Sequence, residues 1–187
     1  MAQRKPGRKP PRAAEPPRPS IQEVQLRRAG DAGWELAHPR CARERDDDMA
    51  EIRAMLAAGE LEIARDELIW LLDGCHAYID AHRLLGELAL ADEDLPLARG
   101  HFGAAFTVGQ RAIRRAGDPR PVPYALPGNQ AFHESGKGLA WCLSKLGKTD
   151  LAAEVVAFLI SCDPSDPLAL RRVHTGDGGG CNEAPGK

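Results

Sequence analysis

Side chains able to do chemistry fall in four places along this sequence. "HPRC" sets His38 three residues before Cys41, and Cys75 is followed at once by His76. These are zinc-ligand types, but no Cys-x-x-Cys pair exists and adjacent Cys and His rarely reach one ion, so no metal is expected. "ESGKGL" (134–139) places a lysine between glycines, yet the Gly-x4-Gly-Lys-Ser/Thr order of a phosphate-binding loop fails. Gly138 follows Lys137, and the residue five before Gly136 is Ala131. His133-Glu134 lacks the second histidine of a zinc-protease helix. No nucleophile elbow accompanies the scattered Ser, His and Asp residues. The chain is therefore expected to be non-catalytic and to use no cofactor.

The fourth place is the basic start of the chain. Residues 1–20 hold Arg4, Lys5, Arg8, Lys9, Arg12 and Arg18 against Glu15, with six prolines and little to bury. Such a segment is expected to be disordered. Its charge of +5 is hidden in a net −2, which leaves −7 for the remainder. "RKPGRKPPR" (4–12) resembles an AT-hook, with Gly7-Arg8-Lys9-Pro10 in place of the usual Gly-Arg-Pro core. That resemblance implies nucleic-acid contact through Arg4, Lys5, Arg8, Lys9 and Arg12, by minor-groove or salt-sensitive binding. No apolar stretch follows, so the segment is not a signal peptide. "LIWLL" (68–72) and "VVAFLI" (155–160) are too short to span a bilayer, and no membrane partner is expected. Five cysteines without paired spacing suggest reduced thiols in a soluble, cytoplasmic protein, with Cys142 and Cys162 packed as small hydrophobes.

The elements that must position these groups are helical. Aromatics make up only 5% of the chain, whereas Ala, Leu, Arg and Glu abound, a mixture that favours helix over sheet. "IQEVQLRRAG" is read as a short helix ending at Gly30, within an N-terminal extension (21–45) that Pro39 interrupts near His38. Asp46–Asp48 open a helix that Gly59 ends. A second runs from Leu61 to Leu72, a third over about 78–91, and a fourth from Leu95 to Gly117. "DPRPVPYALPGNQ" (118–130), with four prolines, reads as a loop. A fifth helix (about 132–146), a sixth through Leu151 to Leu159 and a short last one in "PLALRRV" follow, before a glycine-rich tail at 174–187.

These helices repeat. Leu61, Ala64, Leu68 and Leu71 recur 34 residues on as Leu95, Ala98, Phe102 and Ala105. A third copy, Ala152, Val156 and Leu159, keeps the phase once a 20-residue insertion around 111–130 is removed. The small residues Gly86 and Ala140, the turn glycines Gly59 and Gly147, and the alanines at 64, 98 and 152 together resemble the tetratricopeptide repeat (TPR). The likeness covers about 45–172, with Pro164 as its single terminal proline and no aromatic opening any first helix.

The resemblance implies an all-α fold over 46–173: three helix-turn-helix hairpins stacked as a short right-handed solenoid. It also implies an adaptor that holds a protein or peptide segment in a concave groove lined by the first helices. The matching groove positions are Arg53, Arg83, Glu87, Lys137, Trp141 and Lys145. Four of the six are basic, which would suit an acidic segment with an aromatic contact. A chaperone-type carboxylate clamp is not implied, because its positions carry Met49, Arg53, Leu84, Glu134 and Gly138.

Overall fold

Three helical hairpins turn on one backbone pattern. Gly59, Glu93 and Gly147 all take a left-handed conformation, with φ of 80°, 61° and 71°. In each case the next amide donates back five residues: Glu60 to Met55 (2.9 Å), Asp94 to Ala89 (2.9 Å) and Lys148 to Leu143 (2.8 Å). This is the bond that closes a helix C-terminus and reverses the chain. The turn positions are spaced by 34 and then 54 residues, which is the spacing of the sequence copies.

The computed structural model describes residues 23–174. The hairpins are α2 (Asp46–Ala58) with α3 (Leu61–Gly74), α4 (Ile79–Ala91) with α5 (Leu95–Arg115), and α6 (Pro127–Lys145) with α7 (Thr149–Cys162). Before them come β1 (Gln25–Arg28), β2 (Trp34–Ala37) and the one-turn α1 (Arg40–Arg43), and after them α8 (Leu170–His174). The described chain is thus mostly helical, and no helix in it is long and apolar enough to cross a membrane. The 1–20 tail and the glycine-rich 175–187 segment lie outside the described residues.

Ala64, Ala98 and Ala152 are all buried, each as the fourth residue of the second helix of its hairpin. Phe102 on α5 lies between two glycines of neighbouring helices. A β-carbon at Gly86 of α4 would come within 2.7 Å of one ring edge, and one at Gly138 of α6 within 2.8 Å of the other. The missing side chains let α4 and α6 close on the same ring. Around it, Phe106 stacks on Phe132 at 5.4 Å in a core shared by α5, α6 and α7. A second cluster, with Met49, Ile52, Leu68 and Leu71, fills the first hairpin and continues onto α4 through Leu84 and Leu88.

The N-terminal extension corrects the sequence reading: residues 25–37 form an antiparallel hairpin, not a helix. Val24, Leu26 and Leu36 point into the core while Gln25, Arg27 and Glu35 point out, the alternation of a half-buried strand. Asn129, fully buried at the start of α6, takes the place of a third strand. Its Oδ1 accepts from the Leu36 amide and its Nδ2 donates to the carbonyls of Trp34 and Pro123, all at 2.9 Å.

The proline-rich loop is tied down as well. The Val122 amide donates to Cys162 O (2.8 Å), and the Trp34 amide donates to Pro121 O (2.9 Å). The helix expected from 132 begins five residues earlier, because Pro127 occupies its first turn, where no amide is needed. A further correction concerns the thiols. Cys41 and Cys75 are joined as a disulfide with Cα atoms 5.7 Å apart, and Cys142 and Cys162 are buried and free. Docking of α1 against the end of α3 brings the pair together, a contact that no spacing rule encodes.

A candidate binding cleft

The outward face of the β-hairpin forms one wall of a cleft of about 840 Å³. Arg27 and Glu35 stand opposite each other across the strands and are ion-paired at 2.8 Å. Glu35 also accepts from the Gly128 amide at the start of α6 (3.1 Å). The Arg27 bond outweighs partial burial and holds the Glu35 carboxyl below the usual range, with Gly128 helping. The same wall continues through His38 and into α1, where Arg40, Ala42 and Arg43 face the cleft.

The opposite wall comes from the first helix of every hairpin: Arg53 of α2, Asp80 and Arg83 of α4, and Gln130, Ala131 and Glu134 of α6. Their charges are joined in a chain. Arg53 donates to Asp80 (2.5 Å), and Asp80 also accepts from Arg83 (2.8 Å). Arg83 also pairs with Glu87 (2.5 Å) and Glu134 (3.3 Å), and Glu134 accepts from the Tyr124 hydroxyl (2.8 Å). Only 16% of the Arg83 side chain is exposed. Burial opposes its charge, but Asp80, Glu87 and Glu134 overcome that and raise its pKa. A buried cation with three carboxylates around it is held in place and does not offer an open positive site.

Two uncharged groups complete the lining. Tyr78 stands beside Asp46 and Asp80, and burial together with those carboxylates pushes its hydroxyl up to about 12. Burial lowers the pKa of His38 from its ordinary value, against the opposing pull of the Gly128 carbonyl, Asp80 and Asp46. Its Nε2 donates to Gly128 O at 3.1 Å, and its buried Nδ1 has no hydrogen-bond partner.

Of the six groove residues taken from the repeat alignment, Arg53 and Arg83 line this cleft. Glu87 lies one turn further along α4, against Arg83. Lys137, Trp141 and Lys145 do not reach it: they lie farther along α6, with the Lys145 ammonium 5.6 Å from the Trp141 ring centre. Sequence reasoning missed Asp80, Tyr78 and the β-hairpin wall, and it named His38 only as a zinc-ligand type and Glu134 only as a motif position, not as cleft residues. Asp80 and Glu134 had a findable signal, since each sits one turn before a groove position on its helix. The hairpin wall had only its short alternation.

His38, Cys41, Cys75 and His76, singled out as ligand types, do not assemble a metal centre. Cys41 and Cys75 are bonded to each other, and among the described residues no group of three or more His, Cys, Asp or Glu is placed to hold an ion. The AT-hook-like residues Arg4, Lys5, Arg8, Lys9 and Arg12 lie outside the described residues. No protein-family model, curated protein or solved structure matches the chain.

Proposed function

We propose that this protein is a non-catalytic adaptor that holds an extended peptide or protein segment in the cleft between its β-hairpin and its helices. We further propose that its hairpins are a short, right-handed TPR-like array. One observation carries the reading: a single cleft touches α2, α4 and α6, the first helix of all three hairpins. That is the face a repeat scaffold presents to its ligand.

The charge pattern refines the ligand. Arg53 and Arg83 are already compensated by Asp80 and Glu134, so a purely acidic segment would have to break those pairs. A segment with both donors and acceptors, including its own backbone, adds to the network without doing so. The open, polar lining argues against a small apolar ligand, which would need a mostly apolar and enclosed pocket.

The test begins with a random-peptide display library panned against the full-length protein. Selected peptides are then titrated against Gln130→Arg, an exposed position that narrows the cleft, and against Trp141→Ala and Lys137→Glu on the rest of α6. The cleft reading expects Gln130→Arg to weaken binding by at least about tenfold, roughly 1.4 kcal/mol, with the other two unchanged. The opposite pattern would move the binding surface off the cleft.

A further inference from the structure

The charge of the molecule is concentrated in two segments. Residues 1–20 carry six Lys and Arg against Glu15, whereas residues 46–74, the first helical hairpin, carry nine carboxylates against Arg53 and Arg65. The other described residues balance to within one charge. Both arginines of that hairpin are already engaged by the next one, Arg53 with Asp80 and Arg65 with Asp92.

The outer face of α3 is also apolar. Ile63, Ile69 and Trp70 are 52%, 48% and 50% exposed. Asp66, Glu67 and Asp73 are exposed beside them, in no ion pair among the described residues. No basic residue occupies the last turn of α3, although that end of a helix favours cations. Trp70 already accepts one guanidinium, with Arg45 centred 4.1 Å from its ring.

The basic segment joins the body close to the C-terminal end of α3. Glu23 shares a shallow pocket with His76 and Ala77, and His76 follows the last residue of α3 by two positions. α3 is about 21 Å long at 1.5 Å per residue. Twenty residues reach up to about 66 Å when extended, so residues 1–20 can cover the whole helix.

We propose that residues 1–20 dock on the outer face of α3 of their own chain. Prolines such as Pro6, Pro10 and Pro11 pack against Trp70 and Ile63, as proline-rich segments pack on aromatic surfaces. Lysines and arginines of the same segment pair with Asp66, Glu67 and Asp73. The attachment is intramolecular, because a short tether keeps the segment at an effective concentration in the millimolar range, which a second copy in dilute solution does not match.

Zero-length carbodiimide crosslinking of the full-length protein at low salt, read by mass spectrometry on the monomer fraction, tests this. Lys5 and Lys9 are expected to join Asp66, Glu67 or Asp73. The links should vanish in 1 M NaCl, where the screening length is about 3 Å. They should also be lost in Trp70→Ala, which leaves all three carboxylates in place and changes only an exposed side chain. Links spread evenly over exposed carboxylates such as Asp150 and Glu154 would overturn the proposal. So would links confined to a covalent dimer, or links that survive Trp70→Ala.

Discussion

Phe102 shows how far this fold depends on atoms that are not there. Its ring is bounded by Gly86 on one edge and Gly138 on the other, so it cannot move away from one without meeting the other. Gly86→Ala gains about 1 kcal/mol in helix propensity but overpacks this contact by about 1–3 kcal/mol. A net loss of about 1 kcal/mol is expected in urea denaturation, largely recovered in a Phe102→Leu background. At Glu93 the sign reverses. Its φ of 61° is shared with two glycines at the equivalent turns, and its side chain is exposed. Glu93→Gly should stabilise the protein by about 0.5–1 kcal/mol, since the left-handed strain outweighs the extra freedom glycine has when unfolded. An unchanged or lower midpoint would mean that the three turns are not equivalent in energy. Gly59, Gly86 and Gly147 were legible in the sequence as repeat marks. Gly138 and Asn129 were not, because their roles are set by partners outside the repeat period: an aromatic ring on another helix and the backbone of a strand some 90 residues earlier.

Among the elements, the helices were legible where the apolar period ran for several turns, and α2 to α5 fall within a few residues of expectation. The β-hairpin was not legible, because strands of four residues give only two inward positions each. Its "RRAGDAG" connection also reads equally well as the end of a helix. The Cys41–Cys75 bond had no sequence signal either, yet it spans the first hairpin. Among the described residues that hairpin packs chiefly on α4, through a cluster that Ala42 of α1 joins and that is distinct from the α5–α7 core. Closing a 34-residue loop stabilises the fold by about 4 kcal/mol in the chain-entropy picture. Reduction, or Cys41→Ser with Cys75→Ser, should therefore loosen residues 41–75 well before the α5–α7 core. Hydrogen exchange in the presence and absence of a dithiol reductant distinguishes the outcomes. Amides of α2 and α3 should lose protection while those of α6 and α7 keep it. A uniform loss would show that the chain unfolds as one unit and that the bond is not local in effect.

For the whole molecule, repeat phase picked out Arg53 and Arg83 of the helical wall and misplaced the α6 contribution, which comes from Gln130, Ala131 and Glu134. The β-hairpin wall depends on where a non-repeating extension docks. Burial of ionisable groups across the fold gives the stability a pH profile with a determinable sign. Burial lowers the pKa of His38, His82, His101 and His133 from the ordinary 6.5. The unfolded chain then binds more protons than the folded one as pH falls, so stability drops once pH passes below about 6.5. Glu35 and Asp163 have lowered pKa values, and they add a second loss as they protonate below about 4. Glu87, raised chiefly by burial, opposes these as a single group. On the alkaline side, burial pushes Cys142 and Cys162 up to about 11 and Tyr78 to about 12, from ordinary values of 9.0 and 10.0. The unfolded chain releases those protons first, so stability declines again above about pH 9. Thermal melts in buffers of equal ionic strength should give the highest Tm between about pH 7 and 9, with a clear fall by pH 5.5. A Tm that is flat or rising from pH 7 to 5.5 would mean that the four imidazoles are hydrated, and that the α6 start, which holds His38 through Gly128 and carries His133, is not packed as described.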